Sequence, residues 1–457
     1  MPKIFTYSTL LGIAAKSRTQ ATHEAPTNPM TLRHTASATP TRSAQPFSLP
    51  AIEEAADPRA HLPGRLRSLD VLRAVAVIAV IVHHWGQGQS GPIADLVADV
   101  GWAGVDLFFV LSGFLVSGLI FREHQRHGSF RAGRFLVRRG LKIYPAFYVF
   151  LAVSVVCARF IIPEGRDLLP NRLADFFFIQ NYAQGLWTHT WSLGVEEHFY
   201  VLLALVATVV LPRIRPSSRV VLGSIGVVAV ACLAMRIATA AASGYSWRAL
   251  YIPTHLRIDS LLIGVGLAYL WHYRRQRLVA VATTYRWWLA AAGVALVAPL
   301  VVLERSHPLM YTAGLTSLAL GFGLILLVTL TIDDRWAPRP IAYLGQFSYT
   351  TYLWHMPMMI VVAKLLPVSS KWAILALDLI VAFGVGIVAA RVVEIPALRL
   401  RDRLFPSRGE ALATNVLGSS SPVSGAMCRD GAVVRDGCGR DVGGCQAEPG
   451  AGWPADA

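Results

Sequence analysis

From Val71 onward the chain alternates long apolar runs with short polar breaks. The pattern predicts helices near 71–88, 103–121, 143–162, 191–212, 219–242, 256–273, 286–303, 309–331, 341–366 and 372–393. Each run is long enough for roughly 30 Å of hydrocarbon. The expected fold class is therefore all-α, a polytopic membrane bundle of about ten transmembrane helices. Two runs are locally irregular: one carries Glu196, Glu197 and His198 in its first turns, and another contains Pro357. Residues 1–64 are rich in Ser, Thr, Pro, Ala and Arg and lack an apolar period, which predicts a disordered basic N-terminal extension. Ile4 to Ala15 faintly resembles the apolar region of a signal peptide, but polar residues interrupt it. A retained tail, or a start at Met30, fits better. Residues 65–404 form the expected transmembrane domain, and 405–457 a disordered Gly-rich C-terminal tail.

Composition agrees with this pattern. Of 457 residues, 54% are hydrophobic and 15% charged, with a mean hydropathy of +0.48. A soluble protein carries about a quarter charged residues. The net charge of +15 does not imply nucleic-acid binding, because the basic residues sit in tails and short loops and form no basic domain face. Their placement suits the positive-inside rule and anionic lipid heads. Arg65 and Arg67 precede the first run, Arg122 to Lys142 fill the second loop, and Arg213, Arg274 and Arg399 mark later alternate loops. Both termini are thus predicted cytoplasmic, in a multi-pass protein of the cell membrane. Five cysteines make no disulfide framework: Cys157 and Cys232 read as core thiols, and Cys428, Cys438 and Cys445 lack CxxC spacing. No metal site is expected. No repeat relates two halves of the chain, which counts against an inverted-repeat transporter.

The candidate chemistry begins with Arg73 and His84, eleven positions apart on one apolar run. An arginine at a helix centre costs about 2.5–3.5 kcal/mol to insert. Eleven residues are close to three turns, so both groups share a helix face about 16 Å apart. His83 is the alternative imidazole, pointing about 100° away. With the predicted orientation, Asp106, Glu196, Glu197, Arg257 and Asp259 gather near the depth of His84. A carboxylate beside an imidazole holds its tautomer and raises its basicity. Asp106 could instead pair with Arg257, and Glu196 and Glu197 cannot both face the same way. Gly101, Gly104 and Gly113 read as sites of close helix contact. Arg138, Arg139 and Lys142 open another run, as a phosphate cradle or as a lipid anchor.

These segments resemble the acyltransferase-3 family of integral membrane O-acyltransferases. The likeness lies in Arg73-x10-His84, Gly104-Val-Asp106-Leu-Phe-Phe-Val-x-Ser112-Gly-Phe, and Arg138-Arg139-x-x-Lys142-Ile-x-Pro145. It continues in Trp191-Ser192-Leu-x-Val-Glu196-Glu197-x-Phe-Tyr200, Arg257-x-Asp259-Ser-Leu-x-x-Gly264, and Phe347-Ser-Tyr349-x-x-Tyr352-Leu-x-His355. The resemblance implies an acyl-CoA donor, usually acetyl-CoA, bound from the cytoplasm, and a hydroxylated carbohydrate-type acceptor at the opposite face. It assigns His84 the catalytic role, either relaying the acyl group or deprotonating the acceptor. Arg73 would orient the donor, and Arg138, Arg139 and Lys142 would hold its phosphates. Glu196 or Glu197 would support the histidine or bind acceptor, with Asp106 as a further catalytic candidate. Trp191, Ser192, Arg257, Asp259, Tyr349 and His355 are the candidate substrate contacts. Lys142 stands where many relatives carry arginine, and the tail after Phe405 is too short and polar to supply the esterase-like domain some relatives have.

The expected activity is acyl transfer, most simply acetyl, to a surface polysaccharide, a cell-wall glycan or a glycosylated metabolite. A hydroxylated secondary metabolite of the macrolide type is an alternative acceptor. A proton-coupled transporter relaying through His84, Asp106 and Glu197, or a non-catalytic membrane scaffold, are the other classes.

Overall fold

The computed structural model describes residues 66–87, 89, 91–162, 168–211, 217–366 and 370–406. The expected N-terminal extension lies outside the described residues, as does the C-terminal tail past Pro406, with Cys428, Cys438 and Cys445. Every regular element among the described residues is helical. In order, α1 (Arg67–Gln87), α2 (Pro92–Val100), α3 (Gly104–His127) and α4 (Ala132–Val156) build the first half of the bundle. They are followed by α5 (Leu169–Phe176), α6 (Trp191–Val210), α7 (Ser218–Ser243) and α8 (Ile258–Tyr273). The remainder comprises α9 (Arg275–Thr284), α10 (Arg286–Val297), α11 (Leu315–Thr329), α12 (Arg339–Gln346), α13 (Ser348–Leu365), α14 (Lys371–Ala389) and α15 (Ile395–Leu404).

Among the described residues, 7 helices are long and apolar enough to cross a membrane, or 8 if the pair α9 and Arg286–Val302, bent by 84°, counts as one span. The run expected as a simple span at 286–303 is thus preceded by a sharp break. Three spans extend through irregular turns, one of them through a π turn at Met310–Gly314 into α11. α2 continues through a 3₁₀ turn into α3, and α14 continues through a π turn at Ala390–Glu394 into α15.

α1 and α3 lie at the centre. The α2–α3 run returns antiparallel along α1, and small residues set the distance: a Cβ on Gly101 or Gly104 would sit 2.4 Å from the Ala79 or Ala76 carbonyl oxygen. α8 crosses α3 at an equally tight contact. A Cβ on Gly113 would lie 1.9 Å from the Leu261 oxygen, and one on Gly264 would lie 2.2 Å from the Val110 oxygen. The expectation that these glycines serve close helix contact holds. α12 and α13 pack against α1, and α14 packs against α13. By contrast, only 11% of the apolar window of α7 is buried, which leaves most of that helix facing outward. Cys232 on α7 is buried as expected, whereas Cys157 is exposed just past the end of α4.

The start of α1 is held from far along the chain. The backbone N–H groups of Arg67 and Ser68 donate to the Asp334 carboxylate at 2.9 and 2.8 Å. These are orphan donors of a first helical turn, and a carboxylate there also complements the helix dipole. Burial alone would push the Asp334 carboxyl up; the two backbone donors outweigh it and hold its pKa below the ordinary value. The cap is therefore complete at neutral pH, and its contribution is lost as pH falls through that lowered value. Asp334→Ala is expected to cost about 1 kcal/mol, as loss of a cap does, read as a lower melting midpoint in detergent. A second substitution tests the α3–α8 contact. Gly113→Ala is expected to destabilise by about 1–3 kcal/mol or more through overpacking. Gly223→Ala on α7, where an added Cβ meets nothing within 4 Å, is expected to be neutral or stabilising.

Candidate functional site

α1 ends in two adjacent histidines with different fates. The His83 ring turns toward α2, where Nδ1 donates to the Ala98 carbonyl at 2.5 Å. His84 Nδ1 lies 2.9 Å from the Val80 carbonyl oxygen. A carbonyl only accepts, so Nδ1 carries the proton and Nε2 keeps a lone pair. The same reasoning applies to His355 on α13, whose Nδ1 donates to the Tyr352 carbonyl at 2.6 Å. Its Nε2 is then an acceptor, and it lies 3.4 Å from His84 Nδ1. His189 packs beside His355 with ring centroids 4.8 Å apart. The His84 ring is thus oriented by a carbonyl and a second imidazole. It faces a cavity of about 360 Å³ whose walls include His83, His189, Trp102, Trp191, Tyr251 and Tyr352.

Arg73, three turns back on α1, lines a different cavity together with Arg139, Lys142, Glu196, Glu197 and Tyr349. Its Nη1 bonds the buried Asp70 carboxylate at 2.9 Å. Glu196 accepts from Tyr200 at 2.5 Å, and Tyr200 meets Ser112 at 2.7 Å. Glu197 accepts from Tyr144 at 3.0 Å, while its other oxygen is buried without a partner among the described residues. The Arg139 guanidinium lies 5.2 Å from the centre of the Tyr200 ring. Next to this cavity is a cationic mouth, lined by Arg122, Arg126, Arg134, Arg138, Arg139 and Lys142 around the single carboxylate Glu123. Arg138 bonds Asp402 at 3.1 Å and also donates to the Phe405 carbonyl.

The three cavities share walls. Arg73, Leu115, Arg139 and Lys142 line both the mouth and the middle cavity. Val105 and Tyr352 line both the middle cavity and the histidine chamber. Tyr352 is fixed at this junction. Its hydroxyl donates to the His189 carbonyl at 2.6 Å and takes the Ser192 hydroxyl at 2.7 Å.

Several candidate residues stand elsewhere than expected. Asp106 is not the partner of His84: its oxygens go to Arg257 at 2.5 Å and to the Tyr251 hydroxyl at 3.3 Å. Both Asp106 and Arg257 are fully buried, so each is the other's neutralising charge. Asp259 likewise pairs with Arg236 on α7 and accepts from Thr316 at 3.1 Å. Arg257 and Asp259 line none of the three cavities, and act between helices. Glu196 and Glu197 accompany Arg73 and do not surround His84. Although adjacent residues diverge on a helix, both carboxylates reach the middle cavity, because it is wide enough to meet α6 on two sides.

A family model described as an acyltransferase domain matches residues 66–394. The chain belongs to the acyltransferase 3 family. It is 27% identical over 359 residues to the peptidoglycan O-acetyltransferase OatA of Listeria monocytogenes, covering 72% of this chain and 55% of that protein. It is 27% identical over 336 residues to the O-acetyltransferase OatA of Staphylococcus aureus, covering 68% and 52%. It is 26% identical over 330 residues to the putative peptidoglycan O-acetyltransferase YrhL of Bacillus subtilis, covering 66% and 49%. The chain spans about half the length of these relatives.

In this acyltransferase 3 chain, sequence reasoning missed Asp70, His189, Tyr352 and Arg305 as parts of the cavity walls or their supports. Asp70 lies three residues before Arg73, a helical spacing at which opposite charges meet. His189 sits between Trp187 and Trp191 in a polar-looking break, with no periodicity to mark it. The assignment of Asp106 to Arg257 is testable. Asp106→Ala or Arg257→Ala alone should cost about 3–5 kcal/mol, because each leaves a buried charge unmatched. Asp106→Leu with Arg257→Met should recover most of that loss, measured as thermal stability of the purified protein.

Proposed function

We propose that this chain is an integral membrane O-acyltransferase that passes an acetyl group from cytoplasmic acetyl-CoA to a hydroxyl of a cell-wall glycan. The observation that carries this reading is the succession of cavities, from a cationic mouth, past Arg73, to a chamber where His84 presents an unprotonated Nε2. Arg138, Arg139 and Lys142 are the groups suited to the donor's phosphates, since fixed cations at a mouth need not enter the bilayer core. The thioester arm then passes Arg73 and the Val105–Tyr352 junction toward His84. There His84 Nε2 takes the acceptor hydroxyl proton as the oxygen attacks the thioester carbonyl, and returns that proton to the departing CoA thiolate. The acetyl names of the relatives and their peptidoglycan substrates support the choice of group and acceptor.

The accompanying topology is ten spans with both termini cytoplasmic. Eight spans are reached with the bent pair. The other two are α8, short at 16 residues, and α13, whose polar face carries Tyr349, Tyr352 and His355. Loop arginines supply the orientation.

Membranes containing the protein, supplied with radiolabelled acetyl-CoA, are expected to place label in a glycan product. His84→Ala should lower the rate by about 10²–10⁴-fold, the range for a positioned base. Arg139→Ala and Lys142→Ala should raise the KM for acetyl-CoA more than they lower kcat. Equal labelling by wild type, His84→Ala and Arg73→Ala would overturn the site assignment.

A further inference from the structure

The histidine chamber holds one cation that the transfer described above does not use. Arg305 follows the helical stretch that ends at Val302, and its side chain lines the same cavity as His84. Its guanidinium carbon lies 5.4 Å from the Trp102 ring centre and 5.2 Å from that of Tyr251. Cation–π contact uses the face of a guanidinium and leaves its in-plane N–H edge available.

Three guanidiniums turned into the bundle have carboxylate partners: Arg73 with Asp70, Arg236 with Asp259, and Arg257 with Asp106. Arg305 makes no ion pair among the described residues, and no carboxylate lines its chamber. The adjacent Glu304 is exposed and takes the Ser306 hydroxyl at 3.4 Å. Around Arg305 the walls are aromatic, with Trp102, Trp191, Trp247, Tyr245 and Tyr251. Flat rings suit the apolar face of a sugar, and a planar N–H fork suits a planar carboxylate. His83 and His84 each donate Nδ1–H to a carbonyl and need no second proton, so Arg305 is the fixed charge of the chamber. One positive charge balances one carboxylate, whereas the opposite mouth gathers several cations, as polyphosphate recognition demands.

We propose that the chamber selects an acidic acceptor, a glycan carrying a carboxylate near the reacting hydroxyl, and that Arg305 binds that carboxylate. This deepens the proposed function and rests on its placing of the acceptor hydroxyl at His84. Arg305 is here a specificity residue that touches substrate, distinct from the proton-transfer group.

The test is calorimetric titration of the purified full-length protein, which requires no turnover. The probes are soluble cell-wall glycan fragments with free carboxylates, and the same fragments after conversion of those carboxylates to methylamides. Wild type is expected to bind the acidic fragments about ten- to a hundredfold more tightly, the range for a hydrogen bond to a charged group. Arg305→Gln should abolish that preference and leave acetyl-CoA binding unchanged, while Arg305→Lys should restore part of it. Equal binding of the two fragments by wild type, no binding of either, or a preference that survives in Arg305→Gln would overturn the proposal. Should Arg305→Gln fail to fold, the wild-type comparison decides alone. Acetyl-CoA turnover, followed separately with His84→Ala, reports on the transfer reading and does not depend on the carboxylate.

Discussion

A charge inside an apolar bundle must find its counter-charge, and the pair Arg257–Asp106 is where that constraint organises this protein. Either ion alone would cost several kcal/mol to bury. Together they join α3 to the N-terminal end of α8, and Tyr251 adds a hydroxyl to the carboxylate and a ring face to the guanidinium, 4.4 Å from its centroid. The Gly113 and Gly264 contacts then let the same two helices approach until their backbones touch. The second pair, Arg236–Asp259, fastens α7 to α8 two residues further along. Because these four ions neutralise each other, they are unavailable for chemistry, and the polar groups that face the cavities are a different set.

That division separates two kinds of buried polarity. Asp106, Asp259, Arg236 and Arg257 are neutralised in pairs and line none of the three cavities described. His84, Glu196, Glu197, Arg139 and Lys142 line the cavities. The buried second oxygen of Glu197 and Nε of Arg139 have no partner among the described residues. Unsatisfied buried polar atoms cost roughly 1–3 kcal/mol each.

The helices were legible because apolar runs of membrane length have few alternatives, and the close-contact glycines were legible because small residues recur at the crossings. Arg73 and His84 stood out for their cost in hydrocarbon. What could not be read was pairing across the bundle. Asp106, Glu196 and Glu197 were assembled around His84 from a shared expected depth, but depth does not say which helices are neighbours. α3 presents Asp106 to α8, and α6 presents its glutamates to α4 through Tyr144 and to α3 through Tyr200 and Ser112. The imidazole that meets His84 comes from α13, 271 positions away, a separation no local spacing encodes.

Pro357 shows how one irregularity in the sequence shapes the chamber. A proline inside a helix has no N–H, so the carbonyl four residues earlier loses its usual donor. Here that carbonyl belongs to Leu353, and His189 Nε2 lies 3.2 Å from it. The freed oxygen therefore fixes the His189 tautomer and holds that ring against His355. The backbone of the same residue carries the carbonyl that takes the Tyr352 hydroxyl. The proline in α13 thus positions His189, the His189 carbonyl holds Tyr352 at the junction, and His355 on the same turn orients His84. A residue that hydropathy alone would count as a flaw in a membrane span is what lets His189 dock beside the imidazole that orients His84.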